Sequence, residues 1–397
     1  MKKRLLYYQL IKQIEHKNAL VITGMRQVGK TTLMRQIFDE LPKDKAKLWF
    51  DFENPFDQKI FEDIEYRNIY QRLREDSQAK QDQRIYVFID EIQSFPEITK
   101  IIKYLIDHYQ VKFLLTGSSS FYLKNLFPES LSGRKFLYHL QPLNFKEYLY
   151  FLDKIELKTA KIKVIQKAVE PIHAIEFKRF ESDYQNFLEF GGFPEVVVTA
   201  NKETKGQVLK NIFQSFFEKD LRILSDYKDI KDLRDLLLLL VPRVGSMIDV
   251  SKIASELGVD RPKIYHFLEF LQGTFMIQLL PKFSRSLDRS VAGGRKVYFT
   301  DNGLLNAIGK VNDAQLLENS VINQLAYYGE ISFYNKKNTS EIDLILDKEI
   351  AFEIKLNGTD EDCWKLEKLS ANLGVKTNFV ISKNFNNKKN FLSPIQL

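Results

Sequence analysis

The sequence has little cysteine and no long apolar run. Cys363 is the only cysteine among 397 residues, so no disulfide can form within the chain, and we expect a reducing, cytoplasmic location. The longest purely apolar run extends from Leu236 to Val241, whereas a membrane-spanning helix needs about 20 such residues. Polar residues between Gln9 and His16 interrupt the stretch that follows the basic N-terminus, so we expect no export signal. We therefore predict a cytoplasmic protein without a membrane partner.

The composition is typical of a soluble protein with several domains. Apolar residues make up 44% of the chain and charged residues 28%, which is enough apolar material for more than one core. A chain of this length usually divides into roughly two to four domains. The formal net charge of +7 favours polyanionic partners such as nucleic acid, although a solvated surface explains a surplus of this size equally well.

A glycine-rich stretch separates a strand-like run, Ala19–Thr23, from a helical one, Thr31–Phe38. Its residues are Gly24, Met25, Arg26, Gln27, Val28, Gly29, Lys30, Thr31 and Thr32. They fit the phosphate-binding loop (P-loop), in which backbone N–H groups and the positive end of the helix dipole surround phosphate oxygens. Lys30 would reach the β- and γ-phosphates, and Thr31 would bind Mg²⁺. We therefore predict ATP and Mg²⁺ as cofactors; the alternative is a glycine-rich turn that matches by chance.

Apolar strands alternate with helical stretches through the first 145 residues. The further strand candidates are Lys47–Phe52, Arg84–Glu91 and Lys112–Ser119. Continuous apolar runs are typical of central parallel strands, which are buried on both faces. The alternation predicts an α/β fold, a doubly wound parallel sheet of the P-loop NTPase type, with its ligand at the carboxyl ends of the strands.

Polar residues form the carboxyl ends of two of these strands. Asp90 would hold Mg²⁺ through a water, and Glu91 would polarise the water that attacks the γ-phosphate; the alternative is a helix cap. Thr116 and Ser118 end the next strand, where one hydroxyl would bond the γ-phosphate or that water; the alternative is a strand-end turn. Arg134 follows on a loop. It would stabilise the developing phosphate charge in its own subunit or in another copy of a homo-oligomer, or else be an ordinary surface arginine.

Several motifs together resemble those of one known family. They are GMRQVGKTT at 24–32, FIDEIQ at 88–93, LTGSSS at 115–120, LSGR at 131–134, QPLNFKE at 141–147, FGGFPE at 190–195 and EID at 341–343. The family is that of prokaryotic AAA+-type ATPases, which resemble origin-recognition ATPases in their N-terminal half. Their C-terminal region, of unassigned function, resembles a restriction-endonuclease-like nuclease. The resemblance covers nearly the whole chain and implies an AAA+ core over 1–145 and a nucleotide-sensing role for Arg134.

The middle of the chain changes from helical to mixed. Residues 146–240 show helical spacing without long strands, which predicts a helical lid that closes over the nucleotide. Residues 241–303 contain two short helices and two strands, which predicts a winged helix. Basic residues near the tip of the wing are Lys282, Arg285, Arg289, Arg295 and Lys296. They predict contacts with DNA phosphates; the alternative is a winged helix that packs only against protein.

Residues 304–397 predict a small α/β domain of nuclease-like type. Asp343 lies on one strand, and Glu353 and Lys355 share a face of the next, in the Asp–(about 10)–Glu-x-Lys pattern of restriction-endonuclease-like nucleases. Asp343 and Glu353 would bind Mg²⁺, and Lys355 would orient a water and neutralise charge at the scissile phosphate. By resemblance, Glu318 joins this metal site from a helix. The alternative is a structural trio in which Lys355 neutralises Asp343 or Glu353.

The sequence thus predicts an AAA+-type ATPase that binds and hydrolyses ATP and acts on or with DNA through a winged helix and a nuclease-like domain. A second hypothesis, from a different class, is a nucleotide-gated protein-interaction switch whose C-terminal domain is not catalytic. A P-loop small-molecule kinase fits less well, because it leaves Asp90, Glu91 and the C-terminal half without a role.

Overall fold

A computed structural model describes residues 2–118, 131, 133–157, 172–220, 227–284, 294–336 and 340–397. The chain divides into two compact units. The first consists of Met1–Gln141 with Gly273–Phe275, and the second of Pro142–Gln272 with Met276–Leu397. Arg285 and Arg289, which the sequence places near the wing tip, lie outside the described residues.

A five-stranded parallel sheet forms the centre of the first unit. Its strands in chain order are β1 (Ala19–Thr23), β2 (Ala46–Asp51), β3 (Ile85–Asp90), β4 (Lys112–Gly117) and β5 (Lys135–His139). Their order in space is β2-β3-β4-β1-β5, and every neighbouring pair is parallel. All residues of β1, β3 and β4 are buried, which explains their continuous apolar runs. The predicted α/β P-loop fold is confirmed, whereas the edge strand β5, which has exposed residues, is not among the predicted strands.

Helices cover both faces of this sheet. They are α1 (Leu5–Lys12), α2 (Lys30–Glu40), α3 (Pro55–Gln58), α4 (Tyr66–Ser77) and α5 (Ile98–Tyr109). One apolar core packs α4 and α5 against the strands through residues such as Ile69, Ile102 and Val87. Because all five strands are parallel, their carboxyl ends meet at one edge of the sheet, and the glycine-rich loop, Asp90 and Thr116 share that edge.

The second unit begins with helices and a two-stranded sheet. The helices in chain order are α6 (Phe145–Phe151), α7 (Ala174–Phe190), α8 (Pro194–Val198), α9 (Lys202–Ser215), α10 (Tyr227–Leu240), α11 (Val250–Leu257) and α12 (Arg261–Gly273). Asp249 caps α11, and Asp260 caps α12 by accepting the N–H of Lys263 at 2.9 Å. Strands β6 (Ile277–Pro281) and β7 (Arg295–Phe299) then pair antiparallel. The helices and strands predicted for this stretch are therefore present.

A mixed five-stranded sheet ends the chain. Its elements in chain order are α13 (Asn302–Ile308), α14 (Asp313–Leu325), β8 (Ile331–Lys336), β9 (Ser340–Leu346), β10 (Ile350–Lys355), α15 (Asp360–Leu373), β11 (Thr377–Ser382) and β12 (Phe391–Leu392). The order in space is β12-β11-β10-β9-β8, with β8, β9 and β10 antiparallel and β10, β11 and β12 parallel. The predicted C-terminal α/β unit is confirmed. Asp347 and Lys348 have φ of +49° and +61°, as a tight turn between β9 and β10 requires.

The FGGFPE motif has a packing role inside the second unit. The N–H of Gly192 donates to Asp301 Oδ2 at 2.7 Å, and a Cβ added at Gly191, where φ is +73°, would lie 2.1 Å from Asp301 Oδ1. A Cβ at Gly303 would lie 2.1 Å from the carbonyl oxygen of Phe190. These glycines therefore let the end of α7 and the start of α13 approach at backbone distance.

Candidate functional site

The glycine-rich loop joins β1 to α2 in the conformation that phosphate binding requires. Gly24 has φ of +154°, and a Cβ there would lie 2.2 Å from the carbonyl oxygen of Leu140, so this position accepts only glycine. Gly29 is left-handed, with φ of +95°, and caps the first turn of α2. The N–H groups of this turn therefore lie at the carboxyl edge of the sheet, where they can donate to phosphate oxygens.

Lys30 lies inside this loop. The residue is 5% exposed, and its Nζ donates to the carbonyl oxygens of Gly24 at 3.0 Å and Met25 at 2.9 Å. The ammonium group is thus held across the loop by backbone groups at the position where phosphate oxygens would bind. A buried positive charge placed there attracts the negative charge of a nucleotide.

The carboxylate of Asp90 accepts hydrogen bonds from two hydroxyl groups. Thr31 Oγ1 donates to Asp90 Oδ2 at 2.7 Å, and Thr116 Oγ1 donates to Asp90 Oδ1. Burial raises the pKa of Asp90, while the hydrogen bonds from Thr116 and Thr31 oppose the rise. A hydroxyl and a carboxylate oxygen this close together are hard ligands of the kind that Mg²⁺ prefers, so Thr31 and Asp90 fit the cation that accompanies ATP.

Glu91 is held by both its backbone and its side chain. Its φ is +54°, which is unusual for a residue with a Cβ, and its N–H donates to Thr116 Oγ1 at 3.1 Å. Gln93 Nε2 donates to Glu91 Oε2 and also to Ser118 Oγ at 3.1 Å. The two hydroxyl groups at the end of β4 therefore differ in role: Thr116 contacts Asp90 and the backbone of Glu91, and Ser118 contacts Gln93.

Arg134 lies near the amino end of β1, whereas the P-loop follows the carboxyl end of the same strand. Its carbonyl oxygen accepts the N–H of Ala19, the first residue of β1, at 2.8 Å. The P-loop begins after the last residue of β1, about 13 Å away at the usual rise of a strand. Arg134 Nε pairs with Asp107 Oδ1 at 2.6 Å. The predicted role of Arg134 in its own nucleotide site is therefore wrong; a role in a neighbouring copy stays a prediction.

The site predicted from the sequence did not include two residues that the structure places near the P-loop or its carboxylates. Arg4 is buried, and its Nη1 donates to the carbonyl oxygen of Val28 at 3.0 Å and its Nη2 to that of Gln141 at 2.8 Å. It therefore supports the loop from the N-terminal segment. No sequence signal separates Arg4 from the basic residues beside it. Gln93 had a signal, since it follows the two carboxylates at the end of β3.

The predicted nuclease residues are close together in the second unit. Lys355 Nζ pairs with Glu353 Oε1 at 2.6 Å, and Asp343 Oδ2 accepts the N–H of Ile354 at 2.8 Å. Burial and the charge of Asp343 raise the pKa of Glu353 to about 7, against the effect of Lys355. Burial also raises the pKa of Asp343, while Lys355 lowers it. The ion pair between Lys355 and Glu353 is the contact that the alternative of a structural trio requires.

Glu318 approaches this centre with two residues of β7. Tyr298 Oη donates to Glu318 Oε1 at 2.6 Å, and Lys296 Nζ lies 3.6 Å from the same oxygen and also pairs with Glu341. Burial and the charge of Asp343 raise the pKa of Glu318 to about 7. Lys296 is only 3% exposed, so its predicted place on a DNA-contacting wing tip is wrong. It neutralises carboxylates instead.

The predicted ligand set of three carboxylates is not assembled. Among the described residues, no group of three His, Cys, Asp or Glu side chains is arranged to hold a metal ion. The charge of Asp343 is near enough to raise the pKa of both Glu318 and Glu353. However, Glu353 faces the ammonium of Lys355, and Glu318 is bonded to Tyr298. Ion pairs and hydrogen bonds thus take the place of a shared cation in this conformation.

Residues 16–149 match the family model of an AAA domain. This part of the chain therefore has the fold of an AAA-type ATPase, in agreement with the five-stranded parallel sheet and the loop at its edge. Residues 181–315 match a second model, that of a domain of unknown function. Within the residues that the structure describes, no helix combines the length and apolar character that crossing a membrane requires.

Relatives occur in bacteria and archaea. An uncharacterized protein of Haemophilus influenzae is 28% identical over 361 residues, which cover 86% of this chain and 84% of that protein. An uncharacterized protein of Methanocaldococcus jannaschii is 28% identical over 338 residues, or 82% of this chain and 71% of that one. Another, from Mycobacterium tuberculosis, is 23% identical over 370 residues, covering 88% and 73%.

Among solved structures, Cdc6p from Pyrobaculum aerophilum aligns with a TM-score of 0.31 and 12% identity over 69% of this chain and 85% of that one. Drosophila ORC bound to AT-rich DNA and Cdc6 aligns with a TM-score of 0.27 and 9% identity, covering 75% and 87%.

Proposed function

We propose that the chain is a Mg²⁺-dependent ATPase of the AAA+ type. The observation that supports this most directly is the 2.7 Å hydrogen bond between Thr31 of the P-loop and Asp90 at the end of β3. It places a hydroxyl and a carboxylate side by side at the start of α2. Mg²⁺ bound there with ATP would neutralise charge on the phosphates.

The residues around Thr31 and Asp90 would bind the phosphates, accept a proton and position the catalytic carboxylates. Lys30 and the N–H groups of the loop would bind the phosphate oxygens and neutralise the negative charge that these oxygens carry. Glu91 accepts a proton from a water whose oxygen forms a bond to that phosphorus, while the bond to the bridging oxygen breaks and ADP leaves. Thr116 orients Asp90 and fixes the backbone of Glu91.

Two substitutions test the ATPase. Lys30→Ala should abolish nucleotide binding, because it removes the positive charge inside the loop. Glu91→Gln should leave nucleotide affinity unchanged and lower kcat by about 10²- to 10⁴-fold, the usual contribution of a general base. Phosphate release and titration with a fluorescent nucleotide measure the two quantities. Glu97→Gln is the matched control, since Glu97 is exposed and its side chain does not cap α5. Equal losses of affinity in both variants would make Glu91 structural.

We also propose that DNA is the partner and that the protein acts in the cytoplasm. Helices α11 and α12 and the antiparallel strands β6 and β7 occur in the order of a winged helix. Arg295 is exposed at the start of β7, and the chain carries a net charge of +7.

Residues 146–240 would be the lid, and Arg134 would act in a neighbouring copy of a homo-oligomer.

Duplex DNA should therefore stimulate ATP hydrolysis. Arg295→Ala should weaken duplex binding and flatten its salt dependence by roughly one unit for one lost phosphate contact. Lys310→Ala, an exposed lysine beyond α13, is the control. If DNA neither binds nor stimulates, the nucleotide-gated protein switch becomes the better hypothesis.

For the C-terminal centre we propose a divalent cation at Asp343 and Glu353, next to a phosphodiester. Four carboxylates (Glu318, Glu341, Asp343 and Glu353) and two ammonium groups (Lys296 and Lys355) share this region. Four negative minus two positive charges leave two negative charges when all are ionised, which a divalent cation would balance. Binding would replace the ion pair of Glu353 with Lys355, and the freed ammonium would face the phosphate.

Thermal unfolding in Mn²⁺ tests this centre. At a hundred times Kd the cation should add about 2.7 kcal/mol to the free energy of unfolding, and Asp343→Ala should remove this gain. Glu367→Ala, which changes an exposed carboxylate on α15, should keep it. A wild type that gains no stability from Mn²⁺ and cleaves neither single-stranded nor duplex DNA would have a non-catalytic C-terminal domain.

A further inference from the structure

Gln93 links the ends of two neighbouring strands at the ATPase site. It lies in the short 3-10 turn Ile92–Ser94, immediately after β3. Its Nε2 donates one hydrogen bond to Glu91 Oε2 and a second to Ser118 Oγ, at the end of β4. Because a carboxylate only accepts hydrogen bonds, the contact with Glu91 fixes which end of the amide is the NH₂ group.

The contact with Gln93 orients the carboxylate of Glu91 through one of its two oxygens. Its backbone is held in the left-handed region by the hydrogen bond to Thr116, and its side chain is held through Oε2 alone. Within the described part of the chain, Glu91 Oε1 accepts no hydrogen bond. A general base needs this arrangement: a carboxylate fixed through one oxygen and open to a water through the other.

The amide oxygen of Gln93 gives an independent indication of a ligand. Gln93 Oε1 is buried, and it has no hydrogen-bond partner among the residues that the structure describes. An acceptor left in this state is destabilising, so buried oxygens are normally paired with protein or water. The same amide contacts Glu91 through Nε2, so the missing partner of Gln93 Oε1 has the chemistry of a water molecule with two hydrogens to donate.

We propose that Gln93 positions Glu91 for ATP hydrolysis and that Gln93 Oε1 accepts the second hydrogen of the attacking water. This inference rests on the proposed ATPase and adds a residue to it. Glu91 takes the proton that the water loses, and Gln93 fixes the direction from which the water attacks. The amide itself neither gains nor loses a proton, so its contribution is orientation.

Gln93→Leu tests the proposal, because leucine is similar in size but can neither donate nor accept. We expect nucleotide affinity within about twofold of wild type and kcat lower by about 10- to 100-fold, as for residues that orient a catalytic group. In the Glu91→Gln background the same change should cause no further loss, since both residues act on one water. Ser118→Ala removes the other anchor of the amide and should lower kcat in the same direction.

Gln58→Leu is the matched control. Gln58 Nε2 donates to the carbonyl oxygen of Phe52 at 2.6 Å and not to Glu91 or Ser118, so turnover should stay at the wild-type level. An unchanged or higher kcat in Gln93→Leu, or independent losses in the double variant, would overturn the proposal while leaving the ATPase intact. A wild type that binds ATP with no turnover would overturn both.

Discussion

Replacing Arg4 with alanine removes a buried guanidinium from beneath the P-loop. Arg4 is 6% exposed and donates to the carbonyl oxygens of Val28 and Gln141 at 3.0 and 2.8 Å. Val28 belongs to the P-loop, and Gln141 follows Leu140, whose carbonyl oxygen is packed against Gly24. The substitution therefore removes the donor from two backbone carbonyl groups, that of Val28 and that of Gln141.

The two hydrogen bonds set the size of the effect. A hydrogen bond to a charged group contributes about 1.5–3 kcal/mol, and losses at one side chain are not additive, so we expect the free energy of unfolding to fall by about 3 kcal/mol. In a unit of this size that loss lowers the melting temperature by roughly 6–12 °C. If about half of the energy orders the loop, the Kd for nucleotide rises about tenfold.

Differential scanning calorimetry and nucleotide titration measure the two effects in the same preparation. Arg4→Lys keeps the positive charge but has a single donor nitrogen, so it should reduce stability and nucleotide affinity less than Arg4→Ala does. Lys3→Ala is the neighbouring control, because Lys3 forms a surface ion pair with Glu40 that is worth at most about 1 kcal/mol. If Arg4→Ala melts and binds nucleotide as the wild type does, other donors satisfy the two carbonyl groups and Arg4 does not support the loop.

Two further predictions concern the second unit. Gly303→Ala should lower the free energy of unfolding by about 1–3 kcal/mol, because its Cβ would lie 2.1 Å from the backbone oxygen of Phe190. A Cβ at Gly206 in α9 would meet no atom of the described residues within 4 Å, so Gly206→Ala should be neutral or stabilising by up to about 1 kcal/mol. Burial raises the pKa of Asp301 from 3.8 to about 6, so the native state holds its proton more tightly than the unfolded chain. Stability should therefore fall between about pH 4 and pH 6, by at most about 3 kcal/mol, and Asp301→Asn should lack this part of the pH dependence. Urea unfolding of both proteins at several pH values measures the difference, and equal slopes would contradict the assignment.

Local sequence signals were enough for the nucleotide loop and its surroundings. The spacing of Gly24, Gly29 and Lys30 is set by the dihedral angles and charge that a phosphate requires, so a short window contains the whole requirement. The buried strands also appear in the sequence, because a strand covered on both faces has apolar residues at every position. Asp260 and the Asp347–Lys348 turn are equally local, since a cap or a tight turn depends on residues within one turn of the chain.

Tertiary structure decided what depends on distance between strands. Arg134 follows the nucleotide-binding strands in the chain, yet β5 pairs beside β1 and places this arginine at the edge away from the phosphates. Lys296 is one of several basic residues in its segment, and only the packing of β7 near Glu318 turns it into a buried counter-ion. Periodicity within one segment specifies which face of an element is buried. It contains no information on which distant carboxylate or carbonyl will lie opposite, because many strand orders bury the same apolar residues equally well.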